Sequence, residues 1–185
     1  ERLQEVRKLG TGAIEIKSGY GLTEAAELKI LRVIRRLKEV SDIPIRASFL
    51  GAHALPATYK NDRAAYVRLL IAQILPQVAD ENLADYMDVF CEKNFFSVEE
   101  TDQLLAAGLR YGLKPKIHTN QFNSMGGIQM AVRHGAVSVD HLEVINEEEI
   151  QCLKESETIP TLLPTSPFFL IDLYPPARQL IDACL

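Results

Sequence analysis

Short runs of β-branched and apolar residues alternate along the chain with segments whose apolar residues recur every three or four positions. Runs of the first kind are typical of buried strands, and the second spacing keeps one face of a helix apolar. The runs predict six strands, at 12–19, 45–50, 87–92, 113–118, 136–141 and 158–164. A predicted helix follows each strand, so that the two element types alternate from end to end.

The helices are also indicated by their ends. Thr23 can cap a helix over 24–39, and the pairs Ser97/Glu100 and Asn146/Glu149 have the spacing of capping boxes. The remaining helices are expected at 1–10, about 63–78, about 126–134 and from Pro175 or Pro176. The helix after Ser97 is expected to contain Leu104, Leu105 and Leu109, with Gly112 at its carboxyl end.

Six βα units without a hairpin signal imply parallel strands joined by helical crossovers. A doubly wound sheet and a (β/α)8 barrel both meet this requirement. No G-x-G-x-x-G or P-loop motif follows the first strand, and polar residues stand at many successive strand ends, which favours the barrel. Because six strands cannot close such a barrel, we expect residues 1–185 to form a single incomplete barrel domain.

Composition argues against several kinds of partner. The formal net charge is −5 and Lys and Arg form no dense cluster, so neither a nucleic acid nor a membrane surface is expected to bind. No apolar stretch is long enough to span a bilayer. The three cysteines show no C-x-x-C spacing, which is typical of reduced thiols in a cytoplasmic protein.

Three of the four histidines stand at or just past a strand end. These are His53, His118 and His141, whereas His134 ends a predicted helix and is assigned no function. The carboxyl ends of parallel strands form one rim, where ligands bind in barrels. Imidazole binds Zn or Fe and titrates near neutral pH, so the three residues together predict a metal or acid/base site.

His118 is the candidate metal ligand, because a polar loop containing Gln121 follows its strand. His141, in VDHLE, is the candidate general base. The adjacent Asp140 is expected on the opposite side of the strand, which leaves Glu143 as the candidate partner of His141. For each histidine the alternative is a structural imidazole whose hydrogen bonds are satisfied within the fold.

Other polar residues are candidates for the same rim. Tyr20 and His53 can donate to a substrate carbonyl or carboxylate, although the Tyr20 ring could instead pack on the rim. Glu15 and Lys17 alternate with isoleucines and are expected inside the barrel as a compensating pair. Glu92 is a further carboxylate at a strand end, with a supporting role as the alternative.

Six stretches together resemble the imidazolonepropionase family of the amidohydrolase superfamily. They are EIKSGYGL (15–22), FLGAHALP (49–56), DVFCE (88–92), KIHTNQFNSMGG (116–127), VDHLE (139–143) and TLLPTSPFFL (161–170). Their order and spacing also resemble those of the family. Each motif is weak alone, but GAHALP, the H-x-x-Q-x-x-x-x-GG loop and DHLE are specific in combination.

The resemblance implies a metal-dependent hydrolase on a (β/α)8 barrel that opens the ring of 4-imidazolone-5-propanoate in histidine degradation, giving N-formimidoyl-L-glutamate. By the family's pattern His118 would bind one Zn or Fe ion per subunit, and His141 would accept a proton. Tyr20, His53 and Gln121 would contact the substrate. The implied enzyme is cytoplasmic, its partners are substrate and water, and a homodimer is a possible assembly.

The chain also departs from the family's pattern. The family's His-x-His pair on the first barrel strand, its substrate-binding Arg and its Asp on the last strand have no counterpart here. We therefore expect an internal piece of the barrel that folds poorly and is inactive alone. Two alternatives stay open: another amidohydrolase, such as a cyclic amidine deaminase, or a degenerate barrel that serves as an interaction module. Gln121 and Tyr20 favour the imidazolone substrate.

Overall fold

The computed structural model describes residues 1–170 and 173–185 and contains one six-stranded parallel sheet. Its strands are β1 (Ile14–Lys17), β2 (Ile45–Ala52), β3 (Tyr86–Cys91), β4 (Lys114–Thr119), β5 (Ser138–His141) and β6 (Ile159–Thr161). The strands lie side by side in the order in which they occur along the chain, and each neighbouring pair is parallel. This order is that of a barrel, because the strand order of a doubly wound sheet reverses at its switch point.

Helices connect consecutive strands and also lie before the first strand and after the last. They are α1 (Arg2–Lys8), α2 (Glu24–Val40), α3 (Arg63–Leu69), α4 (Leu75–Asp80), α5 (Val98–Arg110), α6 (Gly127–Arg133), α7 (Glu147–Lys154), α8 (Thr165–Leu170) and α9 (Ala177–Asp182). A π-helical turn, Leu70–Ile74, joins α3 to α4, so the helix predicted at 63–78 is present with one irregular turn. The sequence pattern does not predict α8.

The predicted helix ends are confirmed. The Thr23 side chain accepts from the backbone N–H of Ala26 at the start of α2. Both capping boxes are formed, one at the start of α5 and one at the start of α7. Gly112 has a φ of +77°, the left-handed conformation that commonly ends a helix.

Of the three leucines in α5, Leu109 is 44 % exposed. Leu104 and Leu105 are fully buried, and the next residue on their face of α5 is Gly108. A Cβ at Gly108 would come within 2.7 Å of the Met87 side chain, so the helix backbone packs directly on β3 there. The buried stripe continues through Gly108, and Leu109 therefore lies one position away from it.

The two faces of the sheet differ in chemistry. Apolar residues of the strands, among them Ile16, Phe49, Val89, Ile117 and Val139, belong to or pack against the core that lies under the helices. The opposite, inner face has charged and polar side chains, namely Glu15, Lys17, Ser48, Asp88, Lys116 and Asp140. This alternation confirms that Glu15 and Lys17 point away from the helices.

Four strands differ in length from their predicted ranges, and two of these, β1 and β5, have only four residues each. β2 extends to Ala52, with a register shift against β3 between Phe49 and Ala52, so that His53 follows the strand directly. β6 has only three residues and contains Pro160. Proline has no backbone N–H to donate, which limits pairing at this sheet edge. Among residues 1–170 and 173–185, no helix has the length and apolar character needed to cross a bilayer.

Candidate active site

His118 and Asp88 form a buried pair near the carboxyl end of the sheet. The register of β3 and β4 pairs Phe90 with His118, so Asp88 lies one inward-facing position below. His118 Nδ1 is 3.0 Å from Asp88 Oδ1, and the two residues are 8 % and 0 % exposed. A carboxylate at Nδ1 fixes the orientation and tautomer of an imidazole and leaves Nε2 as the nitrogen that can bind a metal.

Asp140 joins this pair to make a group of three potential metal ligands. Ligand atoms of Asp88, His118 and Asp140 all lie within 4.8 Å of one another, and the three residues are buried. One imidazole nitrogen with carboxylate oxygens is a donor set that Zn and Fe accept. The chemistry of the residues therefore fits a divalent ion, and the predicted ligand His118 belongs to the group.

Charge pairing sets the protonation of the group. Burial alone would raise the pKa of Asp88, but His118 and Lys17 lower that pKa well below its ordinary value. Burial alone would lower the pKa of His118, whereas the adjacent Asp88 raises it above the ordinary value. Asp88 is therefore ionised at neutral pH, which is the state that can orient an imidazolium or bind a cation.

Lys17 connects the group to the floor of the barrel. Its Nζ lies 2.8 Å from Asp88 Oδ2, 3.8 Å from Asp140 Oδ2 and 2.5 Å from Glu15 Oε1. Glu15 in turn accepts from Lys116 Nζ at 2.5 Å. Burial would lower the pKa of Lys17, but Asp88 and Glu15 raise it well above its ordinary value. The two lysines thus balance three inward carboxylates beneath the rim.

His141 leaves β5 in an unusual backbone conformation. Its φ is +95° and that of Leu142 is +66°, values that cost energy in residues other than glycine. The turn places the ring of His141 5.5 Å from the ring of His118. Asp140, expected on the opposite side of the strand, approaches His118 as well. The change of backbone direction at His141 explains how two adjacent residues reach one site.

Glu143 is the partner of His141, as the sequence predicts. Glu143 Oε1 lies 3.3 Å from His141 Nδ1, and both residues are buried. The other oxygen, Oε2, is also buried and has no hydrogen-bond partner within the described part of the chain. A buried carboxylate oxygen is costly unless a donor satisfies it, which marks this side of His141 as a place for a ligand or water.

Ring contacts connect the predicted substrate residues to the histidine pair. The ring of Tyr20 lies 4.8 Å from that of His53, which lies 5.8 Å from Phe90. Phe90 in turn lies 6.4 Å from His118 and 6.3 Å from His141. Burial lowers the pKa of His53, and nearby His118 adds to that effect, so His53 is neutral at physiological pH. Four of the five predicted site residues therefore form one array.

Gln121 is placed differently from the other four. It follows β4 by two positions, and its Nε2 donates to Ser166 Oγ at 3.3 Å. Glu92 supports this loop: its carboxylate accepts from the backbone N–H of Phe122 and from Asn123 Nδ2, each at 2.9 Å. The alternative of a supporting role for Glu92 is thus the one that the structure favours.

His134 lies outside this array. Its Nε2 is 2.8 Å from Asp102 Oδ1, a hydrogen-bonded contact between residues of the outer helices. This position agrees with the prediction that His134 has no function in the site.

Three residues of the site were not predicted from sequence as site residues: Asp88, Phe90 and Asp140. A signal for two of them is present in DVFCE, where Asp88, Phe90 and Glu92 alternate and so share one face of β3. In the structure Lys116 also pairs with Glu15, and Asp88 is the second carboxylate that compensates the charge of Lys17.

Comparison with known sequences identifies the relatives of this chain. No family model matches it. It is 59 % identical to an imidazolonepropionase of Christiangramia forsetii over 99 % of this chain and 44 % of the relative. The imidazolonepropionases of Flavobacterium johnsoniae and Shewanella halifaxensis are 57 % and 48 % identical, over 100 % and 98 % of this chain and 45 % and 44 % of their own lengths. Over nearly its whole length the chain is similar to a segment of these imidazolonepropionases. It spans less than half the length of the relatives that it matches.

Solved structures agree with this relationship at the level of the fold. A guanine deaminase from C. acetobutylicum matches with a TM-score of 0.72 and 16 % identity, over 100 % of this chain and 47 % of its own. A triazine hydrolase matches with a TM-score of 0.71 and 14 % identity, over 99 % and 45 %. An adenosine deaminase from Xanthomonas campestris with bound zinc has a TM-score of 0.62 and 13 % identity, over 100 % and 43 %. The predicted fold, a partial (β/α)8 barrel of the amidohydrolase type, is confirmed.

Proposed function

We propose that this chain forms part of the active site of a hydrolase that converts 4-imidazolone-5-propanoate and water to N-formimidoyl-L-glutamate in histidine degradation. The main support is the 59 % identity to a protein named imidazolonepropionase over nearly the whole chain. The ring centres of His118 and His141 lie 5.5 Å apart, beside the buried carboxylate of Asp88, and this arrangement gives that identity a chemical basis.

His118 is the proposed ligand of one Zn or Fe ion, with Asp140 and Asp88 as the carboxylates nearest to it. A divalent ion at such a site supplies a nucleophile at neutral pH, because it lowers the pKa of water from near 16 to about 7. Asp88 accepts from His118 Nδ1 and so directs Nε2 toward the ligand position. Lys17 holds the second oxygen of Asp88, which prevents that carboxylate from rotating away.

His141 is the proposed proton acceptor. Glu143 at its Nδ1 favours the tautomer in which Nε2 is unprotonated and basic, and it stabilises the imidazolium that forms when Nε2 takes a proton. The same proton can then pass to the ring nitrogen that becomes the leaving group. Burial of both residues keeps the acceptor away from bulk water.

Tyr20, His53 and Gln121 are the proposed substrate contacts. Neutral His53 can donate one N–H to the carbonyl oxygen, where negative charge develops as the ring opens. Tyr20, which is 76 % exposed, can reach outward to the propanoate group with its hydroxyl. The Gln121 amide can donate and accept, which suits a ring that has both a carbonyl and N–H groups.

The test is an assay of the protein expressed at the full length of its relatives. Wild type should consume imidazolone propanoate and contain about one metal ion per subunit. His118→Ala should lose both the metal and turnover, whereas His141→Ala should keep the metal and lose turnover. His134→Ala, a histidine paired outside the site, is the matched control and should retain both. Full activity in His118→Ala would refute the assignment of His118 as a metal ligand. If the wild-type enzyme instead releases ammonia from a cyclic amidine and does not consume imidazolone propanoate, a deaminase is favoured.

We further propose a cytoplasmic enzyme whose partners are this small molecule and water, with no nucleic-acid or membrane partner. A homodimer remains a prediction, and sedimentation of the full-length protein would test it. Cell fractionation should recover the enzyme with the cytoplasmic proteins, and recovery with membranes would contradict this proposal.

A further inference from the structure

Two buried carboxylates outside the metal-ligand group lie next to the loops that contain the proposed substrate contacts. Glu27, in the first turn of α2, is 1 % exposed. Its Oε1 accepts from the backbone N–H of Gly21 at 2.6 Å and of Leu22 at 3.1 Å, and its Oε2 accepts from Gly19 at 2.7 Å. One side chain thus binds the backbone on both sides of Tyr20.

The loop around Tyr20 has a conformation that needs such a fixed acceptor. Gly19 has a φ of +108°, and a Cβ there would come within 2.6 Å of the carbonyl oxygen of Leu50. Leu22 also has a positive φ, of +56°. The three N–H groups converge on one carboxylate, and without it they would lack their partner in a partly buried place. We therefore expect the position of Tyr20 to depend on Glu27.

Glu92 has the same relation to the loop that contains Gln121. It is 1 % exposed and accepts from the backbone N–H of Phe122 and Asn123 and from the Asn123 side chain, at 2.9, 3.3 and 2.9 Å. These donors directly follow Gln121 in the chain. Glu92 belongs to the turn after β3, whereas the loop follows β4, so the carboxylate fastens one rim loop to its neighbour.

We propose that Glu27 and Glu92 are positioning residues for substrate binding, Glu27 acting through Tyr20 and Glu92 acting through Gln121. The proposal rests on the proposed function, since it assigns these two loops to the same substrate. Neither carboxylate belongs to the Asp88, His118 and Asp140 group, so we expect their replacement to leave the metal content unchanged. Their removal should therefore weaken substrate binding more than it slows the chemical step.

The experiment uses Glu27→Gln and Glu92→Gln in the full-length enzyme, since glutamine keeps the size but loses the charge and one acceptor oxygen. Each variant should raise KM on the order of tenfold, with kcat and metal content close to wild type. Glu100→Gln is the matched control, because Glu100 accepts from Ser97 and Arg63 and serves the capping box of α5. Its KM should not change.

Double mutants separate positioning from general damage. The effect of Glu27→Gln on KM should disappear in a Tyr20→Ala background and persist in a Gln121→Ala background. Glu92→Gln should show the reverse dependence. Coupling of this kind arises when one residue acts through the other, whereas independent effects add. Additive effects on KM in all four combinations would overturn the proposal.

Hydrogen exchange provides a readout that does not need turnover. Glu27→Gln should speed amide exchange in residues 19–22 and leave 121–123 unchanged, and Glu92→Gln should do the opposite. Unchanged amide exchange in both loops would refute the positioning role, whether or not the wild-type enzyme turns over imidazolone propanoate. An inactive wild type would refute only the proposed function. If a glutamine variant does not fold, the corresponding aspartate variant, Glu27→Asp or Glu92→Asp, is used in its place, because aspartate keeps the negative charge. Failure of those variants to fold as well would assign the carboxylates a purely structural role and overturn the proposal.

Discussion

The pair Asp88–His118 makes a quantitative prediction. Asp88→Asn removes a fully buried charge that lies 3.0 Å from His118 Nδ1 and 2.8 Å from Lys17 Nζ. Removal of one partner from a buried ion pair typically costs about 3–5 kcal/mol. The loss should fall near the lower limit, at about 3 kcal/mol, because Glu15 still pairs with Lys17 and the Asn oxygen can still accept from His118.

Metal affinity should fall with stability in this variant. An imidazole that loses its oriented carboxylate binds a metal about 10–100-fold more weakly. Urea unfolding of the full-length protein measures the free energy of unfolding, and competition with a chelator measures the affinity. Asp102→Asn is the control, since it removes the carboxylate of the exposed pair with His134 and should cost about 1 kcal/mol or less, with no effect on the metal. Wild-type stability and affinity in Asp88→Asn would refute the role given to Asp88.

Two further predictions concern acid stability and packing. Burial alone would raise the pKa of Asp85, but Lys38 and the Ala47 N–H lower it below its ordinary value. The ionised Asp85 therefore stabilises the fold above about pH 4, and this stabilisation is lost as the pH falls through the lowered pKa of the folded state. Asp85→Asn should therefore have a lower free energy of unfolding than wild type at pH 7, and this free energy should fall less as the pH is lowered. Urea titrations at several acidic pH values measure both, and an equal dependence on pH in the two proteins would contradict the prediction. Gly127→Ala would place a Cβ 2.3 Å from Thr119 Oγ1 and should cost about 1–3 kcal/mol by denaturant unfolding. Thr119→Ala in the same chain should restore part of that loss, and no restoration would exclude this contact as the cause.

Much of the fold could be predicted from sequence because its signals are local. The capping boxes at the starts of α5 and α7 and the alternation of Glu15 and Lys17 with isoleucines depend on residues a few positions apart. The convergence of the histidines was also predictable, since the carboxyl ends of parallel strands share one rim. The irregular features were not predictable: the π-helical turn in 70–74 and the helix α8 leave no periodic pattern.

The supporting residues of the site were harder to predict because their roles depend on register. Asp88 can orient His118 only because β3 and β4 pair Phe90 with His118. Glu27 reads as one more polar residue in the first turn of α2, and its three backbone donors become visible only when the loop before the helix is folded. The positive φ of His141, which brings Asp140 and His141 to one place, is likewise not evident from the letters VDH.

Anomalous X-ray diffraction from crystals of the full-length, metal-loaded protein tests the central claim most directly. Data collected above and below the Zn and Fe absorption edges locate the ion and identify the element. We predict one anomalous peak about 2.0–2.2 Å from a nitrogen of His118, in the group that also contains Asp88 and Asp140. A peak elsewhere in the molecule, with His118 bound to no metal in a fully loaded crystal, would contradict the account.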